Sequence, residues 1–325
     1  MSAGYTDVRH LAPGAAGAAG ALEVFGMAAW AEAARSGRLG LMESVAVACA
    51  DQHGLRPMTP PASVLPSGLG VSGPAGSPSG PDGPDGDRAV LAFARQFSVD
   101  VASLTAAQRS AFVDHLGGQA ATVTAQIFVM DFVPRVGAAI AALSALTTLG
   151  APGAPEGPAG PVAPDAGSGE VPLWDALTAF ARVVPGLGSL DPVTTELIRL
   201  RGARQHRCRL CTSLRSRPAL VAGAGEEVFD AIDDYENSDF TPARKAALAF
   251  TDAMVWTPAR IDGPAARLAG LLPPAACVEV VFDITRNALN KIAVALEADA
   301  AHVADGVEIY DLDARGDPVY GLALD

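Results

Sequence analysis

Lysine is almost missing from this chain of 325 residues: of its 23 basic residues only Lys245 and Lys291 are lysine, and the rest are arginine, a bias we attribute to genomic composition. Positive charge is itself in deficit. The net charge of −13 excludes a general nucleic-acid binder, because phosphate contacts need a basic surface. Aromatic residues make up only 6% of the chain, so a core must be built from Ala, Val and Leu. Alanine loses no side-chain entropy in a helix and lets helices approach closely, which favours helical packing. No apolar run reaches the ~20 residues of a membrane span. The most apolar stretch, Val136 to Leu149, follows Asp131, Pro134 and Arg135 and reads as a buried helix. The first residues lack a basic region followed by an apolar one, so no targeting segment is expected, and the expected location is cytoplasmic.

Cysteine is scarce too. Cys49, Cys208, Cys211 and Cys277 are too few for a disulfide framework, and in a cytosolic chain the C-x-x-C pair points to redox chemistry or metal binding. Zinc wants about four ligands, and His206 is the only obvious neighbour of the pair, so no metal and no cofactor are expected.

Two stretches are rich in proline and glycine, 59–87 and 149–170. They divide the chain into an N-terminal part, 1–148, carrying the first as an insertion, and a C-terminal part, 171–325, joined by the second as a linker. Elsewhere apolar residues recur at three- and four-residue spacings, predicting helices over 21–34, 43–53, 88–96, 106–116, 119–133 and 136–146 in the first part. In the second they cover 173–183, 192–205, 226–235, 242–254 and 275–296. Asp191-Pro192 and Thr241-Pro242 place a capping side chain before proline at the first helical position. No strand pattern stands out, so the expected class is all-α. The segment Arg88 to Arg95 resembles Lys245 to Asp252, and Phe132 to Leu143 can be laid over Ala288 to Leu296, a loose internal repeat.

The chemistry-bearing segment runs from Glu196 to Arg217. The cysteine pair is expected to open a helix, where free amides favour a thiolate. Seven arginines lie between Arg199 and Arg217. They can lower the thiol pKa, or form a solvated face paired with the acidic stretch 226–239. Glu196 can likewise be functional or simply ion-paired, and Cys277 reads as a core residue.

The spacing Glu196-x11-Cys208-x-x-Cys211, with the later stretches Ala246-Ala-Leu-Ala-Phe and Arg286-Asn-Ala-Leu-Asn-Lys-Ile, resembles the carboxymuconolactone decarboxylase and alkylhydroperoxidase D-like family. The resemblance covers 173–299. It implies two tandem helical domains, the N-terminal one degenerate, assembled as a homo-oligomer. It implies that Cys211 attacks a hydroperoxide, Cys208 resolves the sulfenic acid as a disulfide, Glu196 relays protons and a protein or small thiol restores the pair. The family places a histidine four residues after the second cysteine, where this chain has Arg215, which cannot act as a base. Arg215 could hold a thiolate or an anion, and His206 is the possible substitute base. Cys49 and His53 have the C-x-x-x-H spacing, but Ala46 and Ala34 stand at the other motif positions, so the N-terminal copy is expected to be silent. The alternatives are a lactone-processing decarboxylase, against which the intact pair argues, and a non-catalytic oligomeric scaffold or redox-sensing protein. Neither a nucleic-acid nor a membrane partner is expected.

Overall fold

The computed structural model describes residues 2–64, 85–147 and 171–324. Most of the insertion and all of the linker lie outside them. The fold is all-α. The N-terminal half contributes α1 (Ser2–Leu11), α2 (Ala16–Arg35), α3 (Leu39–His53), α4 (Asp85–Asp100), α5 (Ala106–Leu116) and α6 (Ala120–Thr147). The C-terminal half contributes α7 (Leu173–Val183), α8 (Pro192–Gln205), the single turn α9 (Arg209–Thr212), α10 (Arg217–Val221), α11 (Glu226–Asp230), α12 (Pro242–Trp256), α13 (Asp262–Ala269), α14 (Pro274–Ala288) and α15 (Lys291–Ala295).

Local chemistry sets several of these boundaries. Asp191 accepts the amides of Val193 and Thr194 at 3.1 Å, and Thr241 accepts that of Arg244 at 3.3 Å, as the two cap-proline pairs imply. Thr105 and Gln108 form a reciprocal capping box that starts α5. Two expectations are corrected. Pro134 does not break the apolar stretch, and α6 runs straight through it. An internal proline costs ~3 kcal/mol or more, and here burial of nearly every neighbouring side chain outweighs it. Conversely, the helix expected over 275–296 is interrupted at Leu289 and Asn290, between α14 and α15.

A third correction is a small sheet where no strand was expected. β1 (Leu214–Ser216) pairs in parallel with β2 (Glu308–Leu312), which pairs antiparallel with β3 (Pro318–Tyr320). β1 and β3 have three residues each, too few to show alternation, and the five of β2 do not alternate.

One hydrophobic core runs through both halves, from Val8 and Phe25 on the N-terminal helices to Phe180, Phe250 and Phe282 on the C-terminal ones. Phe180 packs edge-on against Phe25 at 5.3 Å and against Phe282 at 6.0 Å. A second, smaller cluster around Leu197, Phe229 and Leu248 closes the outer side of α8. By length and composition the stretch Ala106–Leu146 could cross a membrane, but 72% of its most apolar window is buried inside the protein, the pattern of a core helix.

A charged cluster lies inside this apolar interior. Asp131 on α6 accepts from Arg135 at 2.6 Å, from Ser98 at 2.6 Å and from Lys291 of α15 at 2.7 Å. Arg135 also donates to the carbonyls of Met254 and Val255 at the end of α12. The Lys291 ammonium sits 4.5 Å from the Phe97 ring centre. Burial alone would raise the Asp131 pKa, but Arg135 and Lys291 hold it well below the usual carboxylate range. His53 joins the cluster through Ser98, with Nε2 3.0 Å from the hydroxyl; burial and then Arg135 lower its pKa to about 4.

Removing the Asp131 carboxylate strands two buried cations. Asp131→Ala should cost about 3–5 kcal/mol in urea unfolding; a loss no larger than that of a surface substitution would show that the cations are satisfied without it. His53 also gives the cluster an acid limit. It stays neutral in the fold down to about 4 and takes a proton near 6.5 once unfolded. Stability should therefore fall as pH drops through that window. His53→Gln should remove that part of the slope in pH-dependent denaturation.

Candidate functional site

The site is built around the end of α8. His206 caps the helix, and Arg207 then turns with φ +50°, a left-handed conformation. This lets the Cys208 amide reach back to the Ala203 carbonyl at 2.9 Å, the six-to-one bond of a Schellman ending. The chain re-enters a helix at once. Cys208 is the N-cap of α9, and its sulfur accepts the Cys211 amide at 3.2 Å. Three-residue spacing on one helical turn brings the Cα atoms to 5.3 Å, and the two cysteines are joined as a disulfide. Cys49 and Cys277 are free and buried.

Asp299 fastens this turn to the chain after α15. Its carboxylate accepts the Arg209 amide and side chain at 2.8 and 2.7 Å, and its carbonyl accepts the Leu210 amide at 2.9 Å. This corrects the expectation of free amides around Cys211. The first amides of α9 are spent on Asp299, and the one that reaches a sulfur reaches Cys208, because the N-cap position accepts from the third helical residue.

The arginine cluster is mostly paired. Arg204 and Arg215 bind Asp233 and Glu226 of the acidic stretch 226–239, and Arg201 reaches Asp233 as well as Asp252, whereas Arg209 binds Asp299, so the acidic-face reading accounts for part of it. Arg199 differs. It is buried, donates from Nε and Nη2 to both oxygens of Glu196 at 2.6 and 2.7 Å, and donates from Nη1 to the Cys211 carbonyl at 2.8 Å. Glu196 also accepts the Ser216 amide of β1 at 3.0 Å. The acid of the motif therefore reaches the backbone of Cys211 through Arg199, not its sulfur.

A cavity of about 260 Å³ opens at Cys211, between α7, α9, α14 and the small sheet. Arg199, Arg286, Asn287, Tyr310 and Tyr320 are in its wall, and Cys208 is not. Cys208 is 1% exposed and Cys211 5%. Cys208 is thus the more enclosed of the two, and Cys211 is the one that borders a cavity. Arg182 and Asp317 pair at the rim at 2.7 Å.

The other expected site residues lie apart. His206 faces the interior, its Nε2 without a hydrogen-bond partner. Burial, then Lys291 and Arg135, push its pKa well below the ordinary value, so it is neutral. It does not line the Cys211 cavity. Arg215 is held by Glu226 and by the carbonyls of Thr212 and Leu214, and does not line that cavity either. Cys49 is enclosed against the Ala94 carbonyl at 3.9 Å, with burial raising its thiol pKa strongly, while Cys277 is pushed up to about 12 by burial. Sequence reasoning missed Tyr310, Tyr320, Arg286 and Asn287 as site residues. Only the last two stood in a segment already singled out, where the resemblance gave them no role. Among the described residues no group of three or more His, Cys, Asp or Glu is gathered to hold a metal.

The chain is 40% identical over 234 residues to two Mycobacterium tuberculosis proteins, the uncharacterized protein Rv2313c of strain H37Rv and the uncharacterized protein MT2376 of strain CDC 1551. The match covers 71% of this chain and 80% of each relative. The chain belongs to their family. No protein-family model matches it, and no solved structure does.

Peptide mapping of unreduced protein should find Cys208 bridged to Cys211, with Cys49 and Cys277 as thiols that alkylate only after unfolding. A bridge to Cys49 or Cys277 would overturn the arrangement described here.

Proposed function

We propose that the protein is a thiol-dependent oxidoreductase of peroxidase type, working through Cys208 and Cys211 as the resemblance to the alkylhydroperoxidase D-like family implies. One observation carries the reading: a local cysteine pair within disulfide reach has one member, Cys211, in the wall of a cavity that also holds arginine and tyrosine side chains.

In this reading the Cys211 thiolate attacks the outer oxygen of a small hydroperoxide. The O–O bond breaks, sulfur is oxidised to the sulfenic acid, and the alkoxide leaves as the alcohol after taking a proton. Cys208 then attacks the sulfenic sulfur, water departs and the disulfide forms. A protein or small-molecule thiol returns both cysteines to the reduced state by thiol–disulfide exchange, reaching the pair through the cavity that Cys211 borders. Glu196 enters as a positioning residue. It orients Arg199, which holds the Cys211 carbonyl and hence the turn, in place of the proton-relay role that the resemblance implies. Arg286 supplies positive charge at the cavity wall, favouring the thiolate over the thiol, whereas the charge of Arg199 is balanced by Glu196.

Reduced protein should consume peroxide with formation of the internal disulfide. Cys211→Ser should abolish consumption, and Cys208→Ser should permit one turnover and leave a sulfenic acid on Cys211, trapped with dimedone and read by mass spectrometry. If Cys211→Ser instead leaves a trappable sulfenic acid on Cys208, the roles are exchanged. If neither variant alters peroxide or disulfide-exchange rates, the pair is structural. Cys49→Ala should leave the rate within about twofold, because a tenfold loss is ~1.4 kcal/mol in the barrier and would require Cys49 to share in the chemistry.

A further inference from the structure

The face of α14 behind the Cys211 cavity carries two acids one turn apart, Glu279 and Asp283, 5% and 4% exposed. Glu279 is held in place by the turn before α8, accepting from the backbone amides of Gly188, Ser189 and Leu190 and from the Ser189 hydroxyl. Asp283 is hydrogen-bonded to Thr195, and its Oδ2 has no hydrogen-bond partner. Both line a neighbouring cavity of about 230 Å³ between α8, α14 and β2, which shares Arg199, Arg286, Asn287 and Tyr310 with the wall of the Cys211 cavity. Nothing in the redox chemistry above uses these acids.

The groups facing this cavity decide what it can take. Glu196 and Arg199 neutralise each other. Arg286 is then the one remaining cation in the described lining, set against Glu279, Asp283 and Asp311, and the Tyr310 side chain shares that lining. The balance is negative, and the rim of Pro185, Leu190, Pro218 and Leu312 is apolar. We propose that this cavity binds a small primary ammonium compound with a short alkyl or aryl body, its nitrogen held by the Asp283 carboxyl beside the charge of Glu279. The N–H donors meet the free Asp283 oxygen and the Asn287 side-chain carbonyl, while Glu279, whose oxygens are taken by the turn before α8, contributes its negative charge. The apolar rim takes the carbon body. A hard metal ion matches less well, since it takes six or more oxygen ligands and few are gathered here.

Binding should also move a proton. Burial, then the neighbouring Glu279, push the Asp283 pKa up to about 8, with Arg286 opposing. At neutral pH the empty cavity therefore holds Asp283 mostly as the acid. An arriving ammonium favours the carboxylate, so the acid proton is released to solvent as the ion pair forms.

Calorimetry with n-butylammonium chloride tests this on the full chain at pH 7, in two buffers of different protonation heat. The expected result is one saturable site, with release of up to about one proton per amine bound. Asp283→Asn should weaken binding by about tenfold or more and abolish the proton release, with thermal unfolding no earlier than in the parent. Glu279→Gln, which keeps an acceptor for Ser189, should also weaken binding and decides the matter if Asp283→Asn does not fold. No saturable heat, equal binding by both variants, equally tight binding of butyrate, or magnesium binding that the amine does not displace would each overturn the proposal. Cys208→Ser should bind the amine like the parent, so failure of the redox reading and failure of this one remain distinguishable.

Discussion

A carboxylate with no access to water must find its counter-charges inside the protein, and Asp131 finds them in both halves of the chain. Arg135 lies one turn away on the same helix, whereas Lys291 arrives from the far side of the interior, and Arg135 passes on to the carbonyls that end α12. Apolar packing alone tolerates small slippage between helices, because dispersion and burial have little direction. Charges in a dry environment do not, since each needs its partner at hydrogen-bond distance. The two lysines of this arginine-rich protein thus have unlike places: Lys245 sits on the surface, and Lys291 is the cation that ties the C-terminal helices to α6.

The turn that carries Cys208 and Cys211 sits one layer out from this cluster and is tied to it. His206, two residues before Cys208, packs toward the charged interior as a neutral side chain, and α15 leads from Lys291 to Asp299, which fastens α9. The cysteine pair is thereby suspended between two anchored points, the end of α8 and the start of the chain after α15. Arg199 adds a third, spanning Glu196, the Cys211 carbonyl and the Leu214 carbonyl.

The helices were legible where their determinants are local. The cap-proline pairs at Asp191 and Thr241 needed nothing but neighbouring residues, and the starts of α8 and α12 fall where those pairs put them. Pro134 misled because its cost is local while its compensation, burial against helices distant in sequence, is not. The break at Leu289 and Asn290 had no proline or glycine to signal it. In the site, the pairing of Cys208 with Cys211 is a matter of three-residue spacing and could be read directly. The arginine partners could not, because Asp252, Asp233 and Asp299 reach them through tertiary contacts. Cavity walls are the least legible part of all: Tyr310 and Tyr320 come from strands too short or too irregular to show a period.

Those strands bear on how the molecule comes into being. The contact between Cys208 and Cys211 spans one turn, so it can form as soon as that turn does. The cavity around Cys211 needs β2, which pairs in parallel with β1 across most of the C-terminal half, and it needs Tyr320 on β3. Closing so long a loop is slow relative to forming a helical turn. On a growing polypeptide the sulfur pair is therefore assembled while its chamber still lacks a wall, and the chamber is completed around a cysteine pair that is already in place.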